Sequence, residues 1–212
     1  MNKILTVAAL TALTALPASA IDFRGWTEQR FSIFSSNDYR QAGDRLGVIS
    51  DGSVSLLWTR LSEPQWGAES ASWRWSVEES VPPTALDQRG GDDRNLSLYF
   101  VFLPRDVAQD YRDSNIRRLL DAEEARVLMY VWGGETARGT VLPSPYLGSR
   151  GKTIVLRGAG AGSFNEAVDL RVDLRRAFGA DGDGMLVGLA VSADSDDTDS
   201  RISAGIGGLA LE

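Results

Sequence analysis

The sequence predicts an all-β fold, an antiparallel β-sandwich of the jelly-roll type with one or two short helices. Short extended segments separated by polar turns dominate the chain, and their apolar residues recur with period two. Helical patterns are confined to two stretches. Because strands do not alternate with helices along the chain, a wound parallel sheet is not expected.

The clearest strand pattern is Ser72–Glu78, in which Trp73 and Trp75 alternate with polar residues. Such alternation is typical of a strand with one buried face. Asn95–Leu103 and Val127–Trp132 are apolar on both faces, which predicts central strands covered on both sides. Weaker patterns predict six further strands: Gln29–Phe34, Leu46–Ser50, Ser53–Thr59, Thr153–Arg157, Met185–Ala193 and Ile202–Leu211.

Two stretches have helical spacing. Arg105–Glu124 follows Pro104 and carries apolar residues at mixed helical intervals, and Leu170–Phe178 is a short amphipathic stretch that ends before Gly179. The glycine-rich segment Gly158–Gly162 lacks the Lys-Ser/Thr ending of a phosphate loop and opens no clear helix, so it is predicted to be a flexible hairpin tip.

Residues 1–20 have the pattern of a secretory signal peptide. Lys3 precedes the apolar segment Ile4–Leu16, Pro17 interrupts it, and Ala18-Ser19-Ala20 supplies the small residues of a cleavage site. The apolar segment is too short to span a bilayer. We therefore expect a periplasmic or secreted protein, with a single sandwich domain over 21–212 and no membrane insertion after cleavage.

Composition excludes several classes of chemistry. The chain of 212 residues has no Cys and no His, so disulfides, thiolate nucleophiles and His-dependent triads are absent, as are the usual zinc and copper ligand sets. The formal net charge of −7 and the dispersed arginines argue against nucleic-acid binding, which requires a basic surface. Carboxylate, guanidinium, hydroxyl and aromatic groups remain for chemistry.

Five short motifs follow one another along the chain: Trp73-Arg74-Trp75, Gly91-Asp92-Asp93, Tyr130-Val131-Trp132, Asp173–Gly179 and Asp194–Ser200. This order resembles a bacterial family of exported domains of unknown function, over roughly Trp26–Leu211. The resemblance implies a secreted, sandwich-like domain akin to carbohydrate-binding modules. It implies no known activity and no catalytic set.

Several residues are candidates for ligand contact. Trp58 and Trp66, with Trp26, have polar neighbours and suit stacking against sugar rings, although core packing is the alternative for any tryptophan. Arg74, between two strand tryptophans, suits a carboxylate or sulfate, or else a cross-strand ion pair.

Asp92 and Asp93 are further candidates, and they lie in the turn before a central strand. Two neighbouring carboxylates offer acid–base chemistry. The alternative is structural: capping of backbone amides combined with an Asp–Arg pair.

Asp194, Asp196 and Asp199 form a candidate metal site directly after the strand Met185–Ala193. Carboxylate oxygens close together in a loop suit Ca²⁺, although the spacing is not that of an EF-hand. The alternative is a solvated acidic turn. No other cofactor is indicated.

Three hypotheses about function follow. The first is a non-catalytic exported module that binds a carbohydrate or another envelope component. The second is an enzyme that cleaves polysaccharides with carboxylates, and the third is a structural or interaction protein of the envelope. The absence of His favours binding over catalysis.

Overall fold

The computed structural model describes residues 20–212, in which twelve strands and three α-helices alternate with loops and three 3₁₀ turns. The strands are β1 (Thr27–Arg30), β2 (Asp38–Ala42), β3 (Arg45–Asp51), β4 (Val54–Arg60), β5 (Ser70–Glu79), β6 (Arg94–Leu103), β7 (Arg126–Trp132), β8 (Val141–Ser144), β9 (Gly148–Arg157), β10 (Gly162–Asp169), β11 (Met185–Asp194) and β12 (Arg201–Leu211). The helices are α1 (Arg105–Ala108), α2 (Ile116–Asp121) and α3 (Leu170–Phe178).

The strands form two sheets that pack face to face, which confirms the predicted β-sandwich. One sheet has seven strands in the order β1-β4-β11-β6-β7-β9-β8, and the other has five in the order β10-β5-β12-β3-β2. All pairings are antiparallel except that of β7 with β9, which is parallel. The short strand β8 lies between these two in sequence and pairs with β9 at the edge of the sheet.

The core between the sheets is rich in aromatic rings. On the inner face of β5, the Trp73 ring lies 5.7 Å from that of Tyr130, and the Trp75 ring lies 5.6 Å from that of Trp132. Phe100 of β6 lies 6.3 Å from Trp73, and all five side chains are buried. The alternation in Ser72–Glu78 therefore arises because β5 buries one face against β6 and β7.

Two predicted local structures are wrong. The stretch predicted as one helix, Arg105–Glu124, forms two short helices joined by a 3₁₀ turn and a loop. The second helix, α2, begins only at Ile116, and the side chain of the preceding Asn115 caps it by accepting a hydrogen bond from Arg118 N. The glycine-rich segment before β10 is not a hairpin tip, since β9 and β10 belong to different sheets. It carries the chain from one layer to the other.

The predicted signal peptide, residues 1–20, lies outside the described residues except for Ala20. Among residues 20–212, no helix has both the length and the apolarity needed to cross a bilayer.

Candidate functional site

A cleft lies on the outer face of the seven-stranded sheet, the face turned away from the core. Cross-strand register aligns Trp58, Ala190, Tyr99 and Met129 in one row across this face. Ile116 of α2 packs on Leu56 and Ala190 and covers part of the face. A cleft of about 390 Å³ remains, a size suited to a small ligand.

The buried guanidinium of Arg94 organises the floor of the cleft. Its Nη1 donates to Asp92 Oδ2 and to Asp194 Oδ2, both at 2.9 Å. Its Nη2 donates to the Tyr99 hydroxyl at 3.1 Å, and its Nε donates to Ser97 Oγ at 2.6 Å. Burial alone would lower the pKa of Arg94, but Tyr99 and the two carboxylates raise it above its usual value. The cation is therefore fully engaged by partners of this chain.

Asp92 is fixed from both sides. Its side chain is 4% exposed, and its second oxygen accepts a hydrogen bond from the Tyr146 hydroxyl at 3.0 Å. Burial and the charge of Asp92 raise the pKa of Tyr146 to about 12, so the phenol stays protonated and donates. This bond connects the loop between β8 and β9 to the floor of the cleft.

Asp194 has one oxygen without a partner. Its side chain is 9% exposed, Oδ2 is bound by Arg94, and Oδ1 is buried without a hydrogen bond. Burial raises the pKa of Asp194 to about 8 despite the opposing charge of Arg94, and Asp196 and Asp93 add to the rise.

Aromatic and apolar side chains form the walls of the cleft. Tyr146 is 58% exposed and Phe31 is 62% exposed, and both line the cleft, as do Leu56, Leu147 and Met129. The guanidinium of Arg89 lies 5.3 Å from the centre of the Tyr146 ring. The arrangement offers aromatic faces at the rim and fixed polar groups at the floor.

Asp93, directly before β6, belongs to the loop at the end of the cleft rather than to its floor. This fully buried carboxylate accepts hydrogen bonds from Thr198 N at 2.7 Å and from Thr198 Oγ1 at 2.5 Å. Three carboxylate oxygens, one from each of Asp93, Asp196 and Asp197, lie within 4.8 Å of one another. Asp93 therefore fixes the loop between β11 and β12 and also takes part in an acidic cluster.

The sequence and structure comparisons place the chain among relatives. The family described as protein of unknown function (DUF3047) matches residues 24–210. The chain belongs to this family. The predicted membership in an uncharacterised family is thereby confirmed.

Among solved structures, the xyloglucanase domain of NopAA, a type three effector from Sinorhizobium fredii in complex with cellobiose, is similar over 92% of this chain and 97% of that chain. The sequence identity is 9% and the TM-score is 0.42. No curated protein matches the chain. Since the family has no known function, the chemistry of the site follows from its own residues.

The three predicted ligand-binding tryptophans do not line the cleft. Trp66 is buried and donates from Nε1 to Leu61 O at 3.0 Å, so it is a core residue and presents no face for stacking. Trp26 is likewise buried, with Nε1 bonded to Asp22 O. Trp58 is half-buried on the same outer face as the cleft, where the Arg60 guanidinium lies 5.9 Å from its ring.

Three of the predicted site residues line the cleft, and two others lie elsewhere. Asp92, Asp194 and Asp196 all line the cleft. Arg74 is exposed on the five-stranded sheet, where its Nε donates to Ser163 Oγ at 3.2 Å, so it does not belong to the cleft. Asp199 lies outside the acidic cluster, in a turn with φ of 48° next to Gly52.

The sequence reasoning missed Arg94, Tyr99, Tyr146 and Phe31. Asn95, Ser97 and Tyr99 are the polar members of the predicted strand Asn95–Leu103, which is otherwise apolar on both faces, and Arg94 directly precedes this strand. Polar groups at such positions signal a specialised surface patch. Tyr146 and Phe31 lie in loops and carry no comparable signal.

Proposed function

We propose that this protein is an exported, non-catalytic module that binds a neutral saccharide in the cleft on the seven-stranded sheet. In this proposal, residues 1–20 direct export and are removed, and 21–212 act as one domain in the periplasm or outside the cell. The observation that carries the proposal is the aromatic-rimmed cleft whose floor is a fixed array of polar groups around Arg94.

Sugar rings present an apolar face and a set of hydroxyls, and the cleft offers a partner for each. Tyr146 and Phe31 supply aromatic faces at the rim. Asp92, Asp194 and Tyr99 supply hydrogen-bonding groups at the floor. Because their positions are set by hydrogen bonds to Arg94, little ordering is required when a ligand binds.

The charges in the cleft favour a neutral ligand over an acidic one. Among the residues that line the cleft, Arg94 carries the positive charge. The donors of its guanidinium are already bound by Asp92, Asp194, Tyr99 and Ser97. Asp196 adds a further acidic group at the edge of the cleft. A uronate or sulfate would therefore meet acidic groups on the floor of the cleft, beside a guanidinium whose donors are already bound.

Isothermal titration with a panel of neutral gluco-, xylo-, manno- and chito-oligosaccharides tests the proposal. For an oligosaccharide that binds the native protein, Tyr146→Ala and Phe31→Ala should each weaken binding by about tenfold or more, since each removes a stacking face of about 1–2 kcal/mol. Both side chains are exposed, so both variants should fold.

Phe34→Ala is the matched control. Phe34 lies three residues from Phe31 and is 92% exposed, but it does not line the cleft. This variant should bind within about twofold of the native protein. Equal affinity for the native protein, Tyr146→Ala and Phe31→Ala would contradict the proposal, as would equal losses for Phe31→Ala and Phe34→Ala.

The upper limit on one separation is compatible with a second candidate, a glycoside hydrolase that uses two carboxylates. Asp92 Oδ2 and Asp194 Oδ2 are both 2.9 Å from the same Arg94 nitrogen, so they are at most about 5.8 Å apart. Retaining glycosidases separate their carboxyl groups by about 5–5.5 Å. Release of reducing ends from the same oligosaccharides, abolished by Asp92→Asn, would favour this candidate over pure binding.

A further inference from the structure

The loop between β1 and β2 exposes three large apolar side chains, which we call the apolar tip. Phe31 is 62% exposed, Ile33 is 82% exposed and Phe34 is 92% exposed. Ile33 and Phe34 are the two central residues of a tight turn, closed by a hydrogen bond from Ser35 N to Ser32 O. Such positions usually hold Gly, Asn, Asp, Pro or Ser. Bulky apolar residues that bury so little against their own chain typically mark an interaction surface.

The base of this loop is fixed to the sandwich. Ser35 Oγ accepts a hydrogen bond from Val54 N at 2.7 Å and donates one to Val54 O at 2.9 Å. Asn37 is buried, and its Nδ2 donates to Ala193 O at 2.8 Å. Because the base is held at these points, little ordering of the loop is required when the apolar tip meets a partner.

Charge is absent from the apolar tip and begins at its base. The segment 31–37 contains apolar side chains, serines and one asparagine. The nearest charged residues in sequence are Arg30, which is paired with Glu28, and Asp38. A bilayer surface has the same succession from the inside outward: hydrocarbon, a polar interfacial region and water. The loop therefore matches the layers of a lipid surface.

The size of the apolar tip favours a lipid surface over a second copy of the chain. Its three side chains together expose about 400–500 Å² of mostly apolar surface, at about 150–250 Å² for a fully exposed aromatic residue. A stable interface between two proteins buries about 800 Å² on each partner and requires complementary shapes. Hydrocarbon requires no complementary shape, so a small apolar tip suffices for reversible attachment.

We propose that the apolar tip attaches this protein to the surface of a bilayer, by inserting Ile33 and Phe34 about 5–10 Å into zwitterionic lipid. The formal net charge of −7 disfavours anionic headgroups, so the attraction is apolar. Phe31 lines the cleft, and attachment would hold the cleft beside the membrane. The contact is peripheral, and it does not require the saccharide.

Co-sedimentation with large vesicles of phosphatidylcholine tests this proposal. We expect the bound fraction to rise with lipid concentration until it saturates. Ile33→Ala and Phe34→Ala should each lower the partition coefficient by about fivefold or more, because each removes apolar surface from hydrocarbon. Both side chains are exposed, so both variants should fold.

Val172→Ala is the matched control, because it shortens an apolar side chain that is 50% exposed on α3, outside this loop. This variant should partition within about twofold of the native protein. Residues 1–20 are the same in every variant, so differences among the variants report on the loop.

Soluble oligosaccharide separates this proposal from saccharide binding. Phe34→Ala should lose affinity for vesicles but keep its affinity for the sugar. Sugar binding without vesicle binding would overturn the membrane contact alone, and vesicle binding without sugar binding would overturn the saccharide site alone.

Two further results would overturn the membrane contact. One is a loss in Val172→Ala as large as that in Phe34→Ala. The other is a dimer in analytical ultracentrifugation that Phe34→Ala dissociates, in a protein that does not sediment with vesicles. That result would assign the apolar tip to a second copy of the chain.

Discussion

At the scale of single residues, Arg94 is the side chain on which the cleft most depends. It is 12% exposed, and it pairs with Asp92 and Asp194, whose side chains are still more deeply buried. A carboxylate left in such a place without its cation is strongly unfavourable. The same guanidinium therefore fixes the geometry of the cleft and the stability of its floor.

Replacement of Arg94 by methionine should lower the free energy of unfolding by about 3–5 kcal/mol, because it leaves Asp92 and Asp194 buried without their partner. Urea unfolding followed by tryptophan fluorescence measures the loss. Arg74→Met is the control, since Arg74 is exposed on the other sheet, and it should change stability by no more than about 0.5 kcal/mol. Equal stabilities of the two variants would contradict this role of Arg94.

Glu166 predicts a pH dependence of stability. Its side chain is 1% exposed and forms ion pairs with Arg138 and Arg157. Burial raises the pKa of Glu166, but the hydrogen bonds and charges of the two arginines bring it below its usual value overall. A carboxyl group with a lowered folded-state pKa stabilises the protein above its unfolded pKa of about 4.3, and this contribution is lost as the pH falls through the folded-state pKa.

Glu166→Gln should therefore cost about 1–3 kcal/mol at pH 7, with a smaller difference from the native protein at pH 3.5. The range allows for the partly exposed arginines. Denaturant unfolding at both pH values measures it. The exposed Glu63, paired with Arg112, provides the control: Glu63→Gln should differ from the native protein by less than about 0.5 kcal/mol throughout. If the native protein exceeded Glu166→Gln in free energy of unfolding by more at pH 3.5 than at pH 7, the pKa of Glu166 would not be lowered in the folded state.

The acidic cluster of Asp93, Asp196 and Asp197 combines neighbours in the sequence with a residue far away in it. The aspartates of the loop after β11 predict a metal site by themselves, but Asp93 is about a hundred residues away in the chain and joins them only through the pairing of β6 with β11. Arg94 and Asp194 meet in the same way. Such pairs depend on register between distant strands, which a single sequence does not specify.

At the scale of elements, strands with strong alternation were predictable and edge strands were not. The missed strands β2, β8 and β10 all lie at sheet edges. An edge strand buries little surface and often carries proline or charge, so its apolar pattern is weak. The central strands β6 and β7 are covered on both faces and therefore have the continuous apolar pattern that identified them.

The edge strand β1 shows the same effect at a boundary. The prediction Gln29–Phe34 placed the strand too far along, since β1 ends at Arg30. Phe31 and Phe34 are exposed, and their apolar character reflects a loop beside the cleft rather than a buried strand face. An exposed aromatic loop and a buried strand have similar composition, so composition alone does not distinguish them.

Helix α3 allows a test at the same scale. The Asp169 side chain accepts a hydrogen bond from Val172 N and caps the helix. Asp169→Ala should lower the free energy of unfolding by about 1 kcal/mol, because one amide at the helix start loses its acceptor. Chemical denaturation measures the change. Val172→Ala alters a half-exposed side chain of the same helix without touching the cap, so it should have little effect, and equal losses would argue against capping.

At the scale of the whole molecule, the sandwich has two outer faces of different character. One, on the seven-stranded sheet, carries the cleft, α2 and the acidic loop. The other, on the five-stranded sheet, carries Arg74 and the glycines of β12. The fold class followed from periodicity because both sheets must bury one face, whereas nothing in the periodicity distinguishes which outer face holds a ligand.

A crystal structure with the tightest-binding neutral oligosaccharide would locate the ligand on one face of the sandwich or the other. We expect sugar density in the cleft, with a ring against Tyr146 or Phe31 and hydroxyls hydrogen-bonded to Asp92 or Tyr99. Sugar bound on the five-stranded sheet beside Arg74, with the cleft empty, would contradict it.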